Sequence, residues 1–142
     1  MANVFSNSGG DFDNLNLNRL QTGWINDNYL DNVFLTLNGI TYDDIYLVEW
    51  TYNGDRFSSI FAGPDLIRDP STGAISGTVT GYLEYIWNGF AYQPLWGVEN
   101  GNISADALWN ASLTASNTDD LAILRQALSG AWSFLFGRSL AD

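Results

Sequence analysis

Histidine, cysteine and lysine do not occur in this 142-residue chain. Without cysteine there is no disulfide scaffold, no thiol nucleophile and no zinc–thiolate centre. Without histidine and lysine as well, most nucleophile–base pairs lose a member, and what is left is carboxylate chemistry. Positive charge comes from 5 arginines set against 16 acids, a formal balance of −11. Such a field repels phosphate backbones and anionic membrane surfaces, so nucleic acid and charged lipid are not expected as partners. No apolar run approaches the ~20 residues of a membrane helix, so membrane insertion is not expected either. Prolines number only 3 and are scattered, and there is no linker, low-complexity tract or internal repeat. The start, Met1-Ala2-Asn3-Val4-Phe5, has neither the basic nor the apolar region of a cleavable signal peptide.

What the chain does hold is apolar and acidic. Hydrophobic residues make up 46% and aromatics 15%, enough to fill the core of one domain over residues 1–142. The acids are 13 Asp against 3 Glu, with many Asn beside them. Asp and Asn favour turns, helix caps and the oxygen ligation of hard cations. Asp27 and Asp31, the adjacent Asp43 and Asp44, and Asp65 with Asp69 each lie on an expected loop, and calcium is the cation their oxygens suit. None has the spacing of an EF-hand, and each equally suits a cap or a turn.

Residues 1–32 are rich in Asn and Asp, and Leu17, Leu20 and Trp24 at helical spacing predict a short helix over 15–24. Over 33–98 the period becomes two. Val33–Leu37 reads as a strand, Asn38-Gly39 as a turn and Ile40–Tyr42 as its return. Ile45–Tyr52 follows, with Tyr46, Val48, Trp50 and Tyr52 on one face and Ile45, Leu47, Glu49 and Thr51 on the other. Asn53-Gly54-Asp55 turns it into Arg56–Ala62. A third hairpin joins Ile75–Trp87 to Phe90–Val98 through Asn88-Gly89. Over 102–136 the period moves to 3.6: Ser104 caps a helix over 105–113, and Thr118 caps a second one ending at Gly130. The predicted fold is α+β, a curved antiparallel meander of hairpins with C-terminal helices packed on one face.

Three blocks carry a family likeness. The first, Phe61 to Tyr82, reads FAGPDLIRDPSTGAISGTVTGY. The second is Asn102-Ile103-Ser104-Ala105-Asp106-Ala107-Leu108. The third runs from Asp119-Asp120-Leu121 through Leu128-Ser129-Gly130 to Phe136-Gly137-Arg138-Ser139-Leu140-Ala141-Asp142. Together they resemble the leading globular module of repeats-in-toxin (RTX) proteins exported by type I secretion, over about residues 57–142. Ala131-Trp132 stands where two polar residues are usual in that family, and of its calcium-binding nonapeptide only the fragment Gly9-Gly10-Asp11-Phe12-Asp13 occurs. The likeness implies an extracellular or cell-surface location without a cleaved N-terminal signal. A more distant similarity in fold is to the secreted haemophores, which hold haem iron with a histidine and a tyrosine. This chain has no histidine, and the loop where the tyrosine would fall reads Pro64-Asp65-Leu66-Ile67. The resemblance therefore argues against haem, with Tyr42 or Tyr92 as the remaining candidate ligands.

The aromatic residues of the third hairpin are the other functional signal. Tyr82, Tyr85, Trp87, Phe90, Tyr92 and Trp96 crowd it, with Tyr85 and Trp87 on one face and Tyr82 on the other. A sheet apolar on both faces must be covered twice. The second cover is a further copy of the chain, a surface glycan, a flat ligand, or residues 1–30 wrapping back. The favoured reading is a secreted, non-catalytic module for self-assembly or adhesion in an extracellular matrix or surface layer, with a homo-oligomer as the expected state. Two alternatives stay open. One is a haemophore-like binder with a cleft between sheet and helices. The other is a cyclase or glycosidase built on Glu49 and Glu84, whose carboxyl pKa values burial among aromatics would raise.

Overall fold

The computed structural model describes residues 2–6, 17–115, 123 and 132–134, with backbone alone for 2–6 and 132–134. In chain order the elements are β1 (Ala2–Ser6), α1 (Arg19–Thr22), β2 (Trp24–Leu30), β3 (Leu35–Leu37), β4 (Ile40–Tyr42), β5 (Asp44–Tyr52) and β6 (Asp55–Gly63). There follow β7 (Ile67–Arg68), β8 (Ile75–Ser76), β9 (Thr78–Val79), β10 (Gly81–Trp87), β11 (Tyr92–Glu99), β12 (Ile103–Ser104), α2 (Ala105–Ser112) and β13 (Trp132–Phe134). Seven strands form one sheet in the order β13-β1-β11-β10-β6-β5-β2. Every pairing in it is antiparallel except that of β1 with β13. The expected α+β architecture is the one the chain adopts.

Turn chemistry sets the register at the centre. Asn53 and Gly54 both take positive φ, 52° and 84°, the conformation a two-residue hairpin loop needs to match strand twist. Tyr52 therefore pairs with Asp55, and the register runs unbroken to Asp44 opposite Gly63. Asn38 and Gly39 repeat the device between β3 and β4. The Asn88-Gly89 connection differs. It is a four-residue loop in which the Asn88 carboxamide oxygen accepts from the backbone N–H of Phe90 (2.9 Å) and Ala91 (3.0 Å).

Alternation divides the sheet into two apolar faces. Tyr46, Val48 and Trp50 of β5 lie on the inner face with Phe61, Tyr82, Trp96 and Val98, and α1 and α2 cover them with Leu17, Leu20, Leu108 and Ala111. Ser104 caps α2 as its sequence predicts, accepting from the Ala107 N–H. On the outer face Ile45, Ile60, Ala62 and Leu83 form a second cluster, covered by the β3–β4 hairpin through Leu37, Ile40 and Tyr42. The cover on this side thus comes from residues 35–42 with Leu30 beside them, while Leu17 and Leu20 serve the inner face.

Three expectations are corrected. The helix predicted over 15–24 is a single turn, and Trp24 opens a strand, β2. Its Asn-Asp-Asn centre and a bulge at Ile25 conceal any alternation. Val33 and Phe34 stay outside β3, with Phe34 at φ 50°. The strand expected over 75–87 is broken into β8, β9 and β10. Gly77 sits at φ 104°, where a Cβ would also strike the Asp65 carbonyl oxygen, and a Cβ on Gly63 would strike that of Thr78. Backbones cross closely at both points, and the crossing is tied by Thr80 N–H to the Ala62 carbonyl and Ala105 N–H to the Gly77 carbonyl, each 2.9 Å. The helix expected from Thr118 lies outside the described residues save Ile123, which packs on the inner cluster.

Beneath β4, the Tyr42 ring fills the space where Gly81 has no side chain. Its hydroxyl is buried and has no hydrogen-bond partner among the described residues. Burial, then the charge of Glu99 and the neighbouring Tyr85, push its pKa up to about 12. A buried unpaired hydroxyl costs about 1–2 kcal/mol. Tyr42→Phe is therefore expected to raise Tm by a few degrees in thermal denaturation; a lower Tm would show that the hydroxyl is hydrogen-bonded in solution.

Candidate functional site

The inner face holds a buried polar chain. The indole N–H of Trp50 donates to Ser59 Oγ (2.9 Å), and Ser59 Oγ lies 3.0 Å from the Tyr82 hydroxyl. Tyr82 donates onward to Glu84 Oε1 (2.8 Å), while the Trp96 indole donates to Glu84 Oε2 (3.0 Å). With Tyr82 giving its proton to Glu84, Ser59 donates to Tyr82 and accepts from Trp50, so every proton has a place. Burial raises the Glu84 pKa, partly offset by the donors Tyr82 and Trp96 and by the charge of Arg19. Tyr82 is raised well above its usual range, first by burial and then by Glu84.

The outer face holds a different cluster at the end away from β3–β4. The Tyr92 hydroxyl donates to Glu49 Oε2 (2.9 Å) and accepts from Arg56 Nε (2.9 Å). Arg56 Nη2 closes the triad on the same carboxylate oxygen. Tyr92 belongs to β11 and Glu49 to β5, so the phenol reaches across β10 and β6. Glu49 is held below the usual carboxylate range by the Arg56 bond and then by the Tyr92 and Asn26 bonds, against the opposing pull of burial. Trp87 meets the Tyr92 ring edge to face at 5.2 Å. Trp87 is 41% exposed, and Phe90, at the apex of the loop, 91%.

The six aromatic residues singled out in the sequence therefore part company. Tyr82 and Trp96 are buried inner-face residues and are unavailable to a partner. Tyr85 lies on the outer face, half-buried against the β3–β4 cluster. Trp87, Phe90 and Tyr92 stay together at the hairpin tip. Trp96 and Tyr92 share parity in the sequence, but a bulge at Leu95 shifts the register between Glu84 and Tyr85 and sends them to opposite faces.

Glu49 and Glu84 also face opposite ways. Glu49 pairs with Ser58, and Glu84 with Ser59, so the two carboxylates cannot flank one substrate. Only Glu84 shows the raised carboxyl pKa expected of both. Arg56 was not singled out in the sequence. The Asn53-Gly54 turn does contain the signal, because a two-residue loop there puts Arg56 opposite Thr51, diagonal to Glu49.

The acidic residues act locally. Asp27 pairs with Arg68 (2.6 Å) and accepts from the Tyr46 hydroxyl (3.0 Å). Asp44 is buried and accepts from the Asn32 N–H (3.0 Å). Asp31 hydrogen-bonds the Asp44 carboxyl, which raises the Asp31 pKa, aided by burial and the charge of Asp44. The Asp43 carbonyl accepts from the Val33 N–H (2.8 Å). Asp65 accepts from the Thr78 N–H (2.9 Å), and Asp69 from the N–H and hydroxyl of Ser71 (2.8 and 2.7 Å). Among the described residues no three acidic side chains gather as a metal site would require. No helix among the described residues is long and apolar enough to cross a membrane.

Between the inner face and the helices lies an apolar crevice of about 370 Å³, its open mouth included, lined by Leu20, Trp24, Ile75, Leu108 and Trp109 among others. Its polar members Gln21 and Ser112 are bonded to each other at 3.1 Å, so it presents shape without polar groups to orient a ligand. Compared with models of protein families, with curated protein sequences and with solved structures, the chain matches none.

Tyr82→Phe removes the centre of the inner chain, leaving Ser59 without its Tyr82 acceptor and Glu84 with the Trp96 indole in place of two donors. The expected cost is about 1–3 kcal/mol, read as a lower denaturant midpoint at unchanged m. Glu84 then holds its proton still more tightly in the folded state. The deficit should therefore be smallest when that carboxyl is protonated and grow as pH rises through its folded pKa. Asp31 has a raised folded pKa, so its stabilising, protonated form is lost as pH rises. Asp31→Asn should accordingly raise Tm at pH 7, with the difference vanishing near about pH 4. A Tm gain in millimolar calcium for the parent alone would mark the Asp31–Asp44 pair as cation ligands.

Proposed function

We propose that this chain is an extracellular, non-catalytic adhesion module that attaches to matrix or surface-layer material through the tip of its outer sheet face. The observation that carries the reading is the exposure of Trp87 and Phe90, with the half-buried Tyr92 ring beside them, at the end of the outer face that β3–β4 does not reach. Exposed rings gathered beside fixed polar groups, with no cover from the described elements, are what a binding surface requires. Secretion without a cleaved signal rests on the resemblance to RTX leading modules alone. In this reading calcium acts at the acidic loops, moderating a charge of −11 when the module meets a surface. Self-assembly is the less supported half of the original expectation, since two copies of so acidic a chain repel.

The experiment is retention of labelled protein on extracellular matrix from cultured bacteria, in calcium, against Trp87→Ala and Phe90→Ala. Both sites are exposed, so circular dichroism should stay at the parent spectrum. Retention should fall at least about tenfold, a loss of one large buried ring contact. Equal retention of all three proteins refutes the reading.

A further inference from the structure

We infer that the outer-face tip is a subsite for an uncharged hexose polysaccharide, with Trp87 as the stacking platform and the Glu49–Arg56–Tyr92 triad as the hydroxyl-reading group. The inference deepens the adhesion reading and rests on it.

Three observations select this occupant. The first is charge. Arg56 and Glu49 neutralise each other within the site, while the chain around them carries −11. An anionic polymer would be repelled and find at the site, among the described residues, no unpaired cation to offset its approach, whereas a neutral ligand meets neither penalty. The second is the chemistry of the surface. A hexose has a C–H face and a rim of hydroxyls, so it needs a flat ring next to directional donors and acceptors. Trp87 supplies the ring. One residue beyond the Ile86–Phe57 pair, it falls beside Arg56 on the neighbouring strand. Arg56 spends two of its five N–H groups, on Glu49 and Tyr92. The rest lie on a side chain that is 47% exposed. The third is rigidity. Each triad member is bonded to the other two, and Asn26 bonds Glu49 from β2, so little ordering is left to be done on binding.

A second copy of the chain is the competing occupant. One edge of the seven-stranded sheet is β2, and it carries Asn26-Asp27-Asn28 and the bulge at Ile25, features that discourage pairing there.

Affinity electrophoresis in gels containing a neutral β-glucan, a neutral galactomannan or anionic alginate tests the inference, with sedimentation velocity alongside. Retardation is expected in at least one neutral gel and not in alginate. Trp87→Ala should weaken it at least about tenfold, and Tyr92→Phe, which keeps the ring and frees the triad, by about three- to tenfold. Thermal melts establish that both variants are folded, and Ser71→Ala, far from the site in the β7–β8 loop, should bind as the parent does. No retardation in either neutral gel, retardation in alginate alone, or binding unchanged in both variants overturns the polysaccharide assignment. A Trp87-dependent dimer in sedimentation without gel retardation overturns it in favour of a second copy. If matrix retention is still lost on Trp87→Ala in these cases, the adhesion reading stands and only the ligand is wrong; if retention is also unchanged, both fall.

Discussion

A sheet that is apolar on both faces has to be covered on both, and the described part of this chain covers one face and half of the other. On the inner side α1 and α2 close over Tyr46, Val48, Phe61 and Val98. On the outer side the short β3–β4 hairpin reaches only Ile45, Ile60, Ala62 and Leu83. Everything beyond its reach must be polar or must tolerate water. That region holds Glu49 and Arg56 together with the tip residues Trp87 and Tyr92, and the candidate site is the part of the sheet that the described elements leave uncovered.

The segment Phe61 to Tyr82 is architectural. It takes the chain out of β6, through a small β7–β8 excursion, and back into β10. Gly63 and Gly77 allow the backbones to cross without a Cβ in the way. Asp65 and Asp69, offered as cation ligands by their residue type, hold this excursion in shape from within. The same loop hands α2 its starting point, since the first N–H of the helix bonds the Gly77 carbonyl. A run so closely tied to the crossing of two strands carries information about fold more than about ligand.

The polar groups sort by face with different consequences. Inside, the Trp50–Ser59–Tyr82–Glu84–Trp96 chain satisfies two indoles and the Tyr82 hydroxyl, while Asp27 accepts from Tyr46 and the Leu66 carbonyl from Tyr29. Outside, the Glu49–Arg56–Tyr92 triad joins side chains of β5, β6 and β11 at a level where the described residues supply no apolar cover. Glu84 is raised and Glu49 lowered, although both are strand glutamates near tyrosine. The difference is the guanidinium beside one and the apolar rings around the other.

Much of the fold was legible in the residues. Period-two alternation in Ile45–Tyr52, the Asn-Gly turns at 38–39 and 53–54, and the Ser104 cap are local features, and local chemistry alone specifies them. Strand β2 escaped notice because Asn26, Asp27 and Asn28 carry no alternation, and it is a strand only because β5 offers it an edge. Strands β1 and β13 likewise depend on a neighbour distant in the chain. Trp96, a candidate partner-surface residue by its neighbours in the sequence, points to the inner face because a single bulged residue, Leu95, reverses parity, and nothing in the composition of β11 announces it. Charge, hairpin order and the division of β5 into two faces were therefore written in the chain. Which rings are sealed, which carboxylate meets an arginine, and where the sheet lies bare were settled only when distant strands met, since pairing register and cover are properties of contacts between segments rather than of any segment alone.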